Sequence, residues 1–418
     1  MTPHAVARTL VFVLALAGGA EARRAPQTAR PPAADSAPAV LTFEAAMARA
    51  LDANPTIAAA RLRQAIALRA VDVARERPNP EFRTEIEKEA PKEAYGLAVP
   101  LELGNKRGNR IAVGEAAVRT GDAEVAEVIV EVRAAVRRAY FARVVAEARL
   151  ALEGELHDIA VRALDAAQQR FEAGGVPRLE VVQATLALEQ TDNEQLGAQA
   201  AADAARVTLN ALLGFPLDTV ETLASPVEEG LVPQLAAAIE VARGSNAEIA
   251  VLDRRIDEQR ARVALARSQQ TPDVTPEATL TRRAEPEFQT GWRAAVALAV
   301  PIFTRHEAGV RVEQATLTQL DAERQAALTR IDGEVTAAAT IAAAQQQLLQ
   351  RYRDRILPQA LEVERMAQDA YRLGQTGIAA LLQALQATRD ARLRSLQAAE
   401  QFQESLATLE RAIGATIR

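Results

Sequence analysis

The sequence of 418 residues contains no cysteine and only three histidines, His4, His157 and His306. The absence of cysteine excludes disulfide bonds, cysteine-ligated zinc, iron–sulfur clusters and a thiol nucleophile. The histidines are far apart in the chain, and the sequence has no His-x-x-x-His, phosphate-loop or nucleophile-elbow motif. We therefore expect no enzyme activity, no metal site and no cofactor.

Aromatic residues are also scarce, at 3%, whereas apolar residues reach 49% and charged residues 25%. A large globular core normally needs more aromatics, because each Phe, Tyr or Trp buries about 150–250 Å². An alanine-rich chain with few aromatics is typical of long helices packed side by side. The net charge of −6 lacks the basic excess that a nucleic-acid-binding face requires, so we predict no nucleic-acid partner.

Long apolar runs are missing, and the one short run lies near the N-terminus. Residues 10–17 are apolar, follow His4 and Arg8, and precede a small-x-small sequence. This order is typical of a secretory signal peptide; a membrane anchor helix is the alternative, but the run is too short to span about 30 Å of hydrocarbon. We predict export by a signal peptide over 1–22, a disordered Pro/Ala-rich leader over 23–40, and no N-terminal lipid anchor.

Several short motifs recur about 200 residues apart. The matched pairs are Val-Pro-Leu at 99–101 with Val-Pro-Ile at 300–302, Phe-x-x-Gly at 171–174 with Tyr-x-x-Gly at 371–374, and Leu-Gly at 213–214 with Ile-Gly at 413–414. An offset of 200 or 201 at three separated points predicts an internal duplication. We predict two repeats, over 41–225 and 226–418. Each would contain a short helix, a strand pair, a very long helix, a glycine turn and a second long helix.

The long helices are predicted from the scarcity of proline and from apolar residues at helical spacing. No proline lies between Pro100 and Pro177, and residues 104–174 would extend about 105 Å as a helix. The return helix, over 179–213, is shorter. We expect a helix over 56–77 to stack end to end with it. A soluble coiled coil shows the same pattern, so the helices alone do not identify the protein class.

Two segments alternate between bulky apolar residues and small or polar ones, while their partner segments, 82–87 and 278–282, alternate more weakly. About ten residues of alternation with an aromatic near one end fit a tilted membrane β-strand, although a half-buried soluble hairpin alternates in the same way. The side chains that we predict to face lipid are Tyr95, Leu97, Val99 and Leu101 in the first repeat and Trp292, Val296, Leu298 and Val300 in the second.

Four strands from one chain cannot close a barrel in a membrane, because the open edges find no hydrogen-bond partner in lipid. Bacterial barrels have at least eight strands. A chain of this kind that spans a membrane must therefore form an oligomer. Pro100 and Pro301 each remove a donor from the strand ladder, and we expect the chain to bend there toward the following helix.

The Asn-Pro helix start at 54–55, the strand pairs ending in Val-Pro, the aromatic-x-x-Gly turns and the duplication together resemble the outer-membrane efflux proteins, the TolC-like channels of tripartite export systems. The resemblance covers residues 41–414. It implies a mainly α-helical homotrimer with a long antiparallel α-helical barrel in the periplasm. Four β-strands per chain would complete a 12-stranded barrel in the outer-membrane lipid. It also implies passive conduction, a periplasmic adaptor and an inner-membrane RND-type pump as partners.

Residues 100–108, Pro-Leu-Glu-Leu-Gly-Asn-Lys-Arg-Gly, resemble the heavy-metal branch of that family, the cobalt–zinc–cadmium type. This narrower resemblance implies divalent cations as the substrate; drugs and other small organic molecules are the alternative. Lys106 and Arg107 also fit an ordinary solvated strand-to-helix turn. A soluble periplasmic coiled-coil scaffold or adaptor is the alternative from another class, although an adaptor should carry one helical hairpin flanked by β-rich modules.

The resemblance further implies that the turn between the two long helices of each repeat is the periplasmic tip, which closes the tunnel and contacts the adaptor. Carried over residue by residue, the tips are Phe171, Gly174, Gly175 and Val176, and Tyr371, Leu373, Gly374, Gln375, Thr376 and Gly377. Glu180 and Tyr371 are candidate gate residues. The alternatives are purely structural roles: a plain helix C-cap for the glycines, a solvated helix charge for Glu180 and a packing role for Tyr371.

Overall fold

The structure is a computed structural model, and it describes residues 40–224, 227 and 230–416. The predicted signal peptide, the predicted leader up to residue 39, and the predicted repeat boundary at 225–226 lie outside these residues. Within the part of the chain that is described, no helix is long and apolar enough to cross a membrane.

The order of elements repeats, as the duplication predicts. The first repeat contains β1 (Val40–Leu41), α1 (Phe43–Ala53), α2 (Pro55–Arg75), β2 (Glu81–Ile86), β3 (Glu93–Ala98), α3 (Lys106–Glu172) and α4 (Arg178–Leu213). The second contains α5 (Leu235–Ser245), α6 (Ala247–Ser268), β5 (Val274–Ala284), β6 (Phe288–Leu298), α7 (Glu307–Arg351), a π-helical turn (Tyr352–Ile356), α8 (Leu357–Arg372) and α9 (Ile378–Ile413). Between them, β4 (Thr222–Leu223) pairs in parallel with β1.

Helix α3 is unbroken over 67 residues, so it extends about 100 Å, close to the length predicted from the sequence. It packs between two columns of stacked helices, one made of α4 and α2 and the other of α9 and α6. Helices α7 and α8 form a further column beyond α9 and α6. The long helices of the described residues therefore form a layer of four columns, with α2 and α4 at one edge and α7 and α8 at the other.

Each stacked column is joined by a buried asparagine. Asn54 caps α2, because its Oδ1 accepts hydrogen bonds from two N–H groups of the first turn at 2.8 and 3.3 Å. Its Nδ2 donates to the C=O of Leu212, at the end of α4, at 2.8 Å. Asn246 caps α6 in the same way and donates to the C=O of Ala412, at the end of α9, at 2.8 Å. The end-to-end stacking predicted for the first repeat is confirmed, and the second repeat has it too.

Glycine is required where these columns join. Gly214 and Gly414 end α4 and α9 with φ of 64° and 78°, in the left-handed region. A Cβ atom on Gly214 would lie 2.7 Å from the carbonyl oxygen of Ala53, and one on Gly414 would lie 2.3 Å from that of Ser245. The Leu-Gly and Ile-Gly motifs thus end α4 and α9 at the points where Asn54 and Asn246 begin the helices stacked on them, α2 and α6.

Ion pairs in the interior join α3 of the first repeat to α9 of the second. Arg137 binds Glu410 at 2.9 Å, and both side chains are largely buried. Glu153, which has no exposed surface, accepts two hydrogen bonds from Arg389, at 2.9 and 3.1 Å. That hydrogen bonding raises the pKa of Arg389. Because a buried charge without its partner is costly, these pairs fix how the two repeats align.

The long limb of the second repeat, which runs from Glu307 to Arg372 and corresponds to α3, has nearly the same length as α3 but is interrupted. The N–H of Leu357 donates to the C=O of Tyr352, five residues back, which defines a π-helical turn. Pro358 follows at once; it has no N–H, and its ring would crowd the carbonyl of Asp354 in a regular helix. Pro358 is therefore the local cause of the break, which was not predicted from the sequence.

The four longer strands form an antiparallel sheet in the order β2-β3-β5-β6. Strand β3 ends at Ala98, earlier than predicted, although Leu101 still pairs with Val274. Strand β6 ends at Leu298, so Val300 lies beyond it. Strand β3 ends two residues before Pro100 and β6 ends three residues before Pro301, which agrees with the bend predicted at these prolines. Strands β2 and β6 are the edges and have no outer neighbour among the described residues.

Candidate functional site

Bulky apolar side chains share one face of the sheet. The register places Tyr95 opposite Leu280, and Leu280 opposite Trp292, which is 82% exposed. Of the residues predicted to face lipid, seven lie on this face by register and strand alternation: Tyr95, Leu97, Val99, Leu101, Trp292, Val296 and Leu298. Val300 lies past the end of β6 and is exposed. The alternation read from the sequence therefore describes a real surface.

The opposite face of the sheet is polar. Arg83 lies across from Gly96, Gly96 from Thr279, and Thr279 from Arg293. Together with Glu81, Glu85 and Glu277, these side chains line a small concavity of about 60 Å³. These charges were not among the predicted site residues, although they occupy the alternate positions of the same strands. A sheet with one apolar and one charged face is typical of strands in a membrane barrel with a polar interior.

The two turns between the long helices, at residues 173–177 and 373–377, have the same backbone hydrogen bonds. In the first turn, Gly174 has φ of 71° and donates to Phe171 at 2.9 Å, while Gly175 donates to Arg170 at 2.8 Å. The second turn has the equivalent bonds at 3.0 and 2.8 Å, with Gly374 at φ of 70°. This is the Schellman motif, so the helix C-cap reading of these glycines is correct. Nothing lies within 4 Å of a Cβ built on Gly174 or Gly374.

The two aromatic residues of the turns lie in different environments. Phe171 is 43% exposed, whereas Tyr371 is 5% exposed. Tyr371 belongs to an apolar cluster with Ala167 of α3 and Ile378 of α9, and the Arg170 guanidinium lies 5.0 Å from its ring centre. Tyr371 therefore packs the two turns together within one chain.

The other predicted tip residues, Val176, Leu373, Gln375, Thr376 and Gly377, complete the two turns, and Leu373 is 71% exposed. Glu180, in the first turn of α4, is half-buried, and a Cβ on Gly377 would lie 3.7 Å from its Oε1. The structure thus brings Glu180 of the first repeat against the turn of the second.

Four buried polar atoms at these turns have no hydrogen-bond partner within the described chain: Arg170 Nη1, Glu180 Oε2, Tyr371 OH and Thr376 Oγ1. Burying a polar atom without a partner costs about 1–3 kcal/mol, so such atoms normally gain a partner from water or another molecule. Arg170 was not predicted as a site residue. The one sequence signal that could have identified it is its position next to Phe171.

The segment at 100–108 is an ordered turn that joins the two repeats. Lys106 is 14% exposed at its side chain and pairs with Asp273 at 2.7 Å. Arg107 donates from Nε to the C=O of Arg75 at 2.8 Å. Gly104 has φ of 68°, and a Cβ there would lie 2.6 Å from the Thr271 side chain. These residues hold the strand-to-helix junction together, which a freely solvated turn would not do.

No group of three His, Cys, Asp or Glu side chains is placed to hold a metal ion within residues 40–224 and 230–416. His157 instead pairs with Asp192 at 2.9 Å, between α3 and α4.

The chain matches the family model described as "Outer membrane efflux protein" over residues 46–215 and 238–415. It is 28% identical over 386 residues to the cobalt-zinc-cadmium resistance protein CzcC of Cupriavidus metallidurans, covering 90% of each chain. The fold is similar to the CmeC outer membrane channel of Campylobacter jejuni, with a TM-score of 0.73, 15% identity and coverage of 90% and 86%. It is also similar to the outer membrane protein VceC of Vibrio cholerae, with a TM-score of 0.70, 16% identity and coverage of 90% and 96%.

The family match covers most of both repeats and agrees with the fold described above. Channels of this family lie in the outer membrane, extend into the periplasm, and are homotrimers that work with a periplasmic adaptor and an inner-membrane pump. The chain therefore belongs to the outer membrane efflux protein family and is a channel component of an efflux system, not an enzyme.

Proposed function

We propose that this chain forms the outer-membrane exit channel for divalent heavy-metal cations. The observation that carries the proposal is the 28% identity to a cobalt-zinc-cadmium resistance protein along 90% of both chains. The resemblance of residues 100–108 to the heavy-metal branch adds support. Conduction would be passive, with the excess of carboxylates shaping the field that cations meet and with energy supplied by the pump.

The sheet is proposed to span the membrane, with its apolar face toward lipid and its charged face toward the lumen. Three copies of a four-stranded sheet would supply twelve strands. The open edge of β2 in one copy would then pair with β6 of the next, which satisfies the edge groups that lipid cannot. The polar concavity lined by Arg83, Arg293 and the nearby carboxylates would lie inside the channel.

The two turns are proposed as the periplasmic tips that contact the adaptor. Phe171 and Leu373 offer exposed apolar surface, and the space around Gly174 and Gly374 is open to an approaching helix. The unpaired Oε2 of Glu180 and Oγ1 of Thr376 offer hydrogen-bond capacity. Of the two gate candidates we retain Glu180, because the burial of Tyr371 among residues of its own chain favours the packing role.

Gene deletion and complementation test the substrate proposal. A deletion strain should lose tolerance to at least one of zinc, cobalt and cadmium, and the intact gene should restore it. Unchanged metal tolerance together with increased sensitivity to drugs would contradict the metal proposal and favour the alternative substrate class.

A paired variant tests the tips. Phe171→Asp combined with Leu373→Asp should abolish complementation while the trimer still reaches the outer membrane, because both exposed apolar contacts are lost. Leu231→Asp is the matched control, since Leu231 is 68% exposed but lies outside the turns. Full complementation by the double variant would show that these side chains do not contact the adaptor.

A further inference from the structure

A fully exposed aromatic side chain lies at one edge of the helical layer. Phe303 follows β6 and precedes α7, and its exposed fraction is 100%; the neighbouring Ile302 is 65% exposed. Phenylalanine loses a large favourable burial energy when it stays in water, and adjacent exposed apolar residues usually mark a contact surface. Among residues 40–224 and 230–416 of its own chain, Phe303 has no such contact.

An apolar groove lies at the opposite edge, around the C-terminal turn of α2. It has a volume of about 450 Å³, and Val73 beside it is 64% exposed. The groove is lined by Ala70, Val73, Ala74, Glu76, Arg77, Pro78, Glu102 and Arg110.

Two of the charged side chains that line this groove, Arg110 and Glu102, are already paired with each other. Arg110 donates to both carboxylate oxygens of Glu102, at 2.6 and 3.1 Å, and to the C=O groups of Ala74 and Glu76, at 3.2 and 3.0 Å. Arg110 is therefore fixed and leaves the groove floor to aliphatic atoms. A groove in which Arg110 and Glu102 are paired with each other and the floor is aliphatic suits an apolar side chain better than a charged ligand.

The aromatic side chain and the groove lie at the same level of the molecule. One row of the sheet runs from Glu81 in β2 through Ala98 and Glu277 to Ala295 in β6. The groove lies just before β2 begins at Glu81, and Phe303 lies just after β6 ends at Leu298. Because β2 and β6 are opposite edges of one sheet, the two features face away from each other in one chain and toward each other in a closed ring.

We propose that Phe303 of each copy fills the α2 groove of the next copy and that this contact helps to set the angle at which the ring closes. The inference rests on the pairing of β2 with β6 proposed above, and it continues that interface from the sheet into the helices. Exposed apolar residues extend along both edges beyond it, with Leu62 and Ile66 on α2 and Val312 on α7.

Crosslinking of the full-length protein tests the contact, because the chain has no cysteine of its own. A Val73→Cys, Phe303→Cys double variant, purified in detergent and treated with a short bismaleimide, should give covalent dimers and trimers on a denaturing gel. The matched control is Leu62→Cys, Phe303→Cys. Leu62 is 68% exposed on the same helix but eleven positions earlier, about 16 Å away. Single variants control for random collisions.

The outcomes separate this inference from the channel proposal. Crosslinking of the Val73 pair and not the Leu62 pair supports the contact. Failure of both pairs to crosslink in a protein that is trimeric by native mass would overturn the contact and leave the channel intact. A monomeric wild-type protein would overturn both.

A fluorescence measurement covers the other environment open to Phe303, the lipid surface. The chain has one tryptophan, so Trp292→Phe combined with Phe303→Trp places the only indole at position 303. Reconstituted into vesicles, this variant should show little quenching by brominated phospholipids. Strong quenching would mean that the side chain lies in lipid, and it would overturn the contact with the next copy.

Discussion

The long limbs of the two repeats differ although they span nearly the same length. In the first repeat, α3 runs without a break from Lys106 to Glu172. In the second, α7 and α8 cover the corresponding span, from Glu307 to Arg372, with a π-helical turn between them. Both limbs end in the same Schellman motif, so the difference lies within the helices.

The neighbours of each limb explain the difference. Helix α3 packs between the α2–α4 column and the α6–α9 column, and a break in it would disturb contacts on both sides. Helices α7 and α8 lie at an edge of the layer, and α8 buries only Glu364 and Tyr371. Within one chain, a helix packed on one side can absorb an irregular turn, whereas a helix packed on two sides cannot do so without losing buried contacts.

The largest expected effect comes from moving the break into the first repeat. Position 158 corresponds to Pro358, and Asp158→Pro removes a helix donor and crowds the carbonyl of Gly154. We expect a loss of about 3 kcal/mol or more in the free energy of unfolding, because α3 is confined on both sides. Urea denaturation followed by helical circular dichroism measures it.

Asp158→Ala is the control for that variant. The Asp158 side chain is 71% exposed, so its removal should change stability by about 0.5 kcal/mol or less. A proline variant as stable as this control would show that packing on two sides does not protect α3 from a break.

Many of the features compared here could be predicted from the sequence, whereas the contacts between distant residues could not. The lengths of the limbs, the glycine turns and the alternating strands follow from local residue patterns. The meeting of Asn54 with Leu212 could be expected as end-to-end stacking, although the asparagine hydrogen bond could not, since it joins residues 158 positions apart. The roles of Lys106 and Arg170 were also missed, because their partners come from the other repeat.

A smaller effect is expected at the column joints, where the repeats are alike. Asn54→Ala removes the cap of α2 and leaves the Leu212 carbonyl without its donor, so we expect a loss of about 2 kcal/mol. Asn246→Ala should cost about the same, because its bonds match in kind and length. Denaturation of the two variants side by side measures both effects.

Asn54→Ser and Asn246→Ser separate the two contributions at each joint. Serine keeps the cap but is too short to reach the next helix, so each serine variant should recover part of the loss. Unequal losses in the two alanine variants would mean that the repeats differ at their joints as well as in their limbs.

Removing the π-helical turn of the second repeat is expected to change stability less than the variants above. Pro358→Ala restores an N–H and removes the ring, so α7 and α8 should join into a more regular helix. Stability should change by about 1 kcal/mol or less, since the alanine chain also gains freedom when unfolded. Hydrogen exchange should become slower for the amides around residue 357. Unchanged exchange would mean that packing, and not Pro358, sets the π-helical turn.

The smallest effect concerns a carboxylate found in one repeat and not in the other, since Glu400 corresponds to Ala200. Burial raises the pKa of Glu400 above its ordinary value of 4.5, and the nearby charge of Glu404 adds to this. The folded state therefore holds the proton more tightly than the unfolded state, and this group's contribution to stability falls as pH rises through its folded pKa. Glu400→Gln should accordingly be more stable than the wild type at neutral pH.

The dependence on pH and on Glu404 makes that last prediction specific. The advantage of Glu400→Gln should disappear below the ordinary carboxyl pKa of 4.5, where both states of the wild type are protonated. Glu404→Gln should gain less stability at neutral pH than Glu400→Gln, because it removes the neighbouring charge and leaves the burial of Glu400 in place. Thermal midpoints measured across pH test the order. An equal gain from the two variants would mean that repulsion, and not burial, dominates at this position of α9.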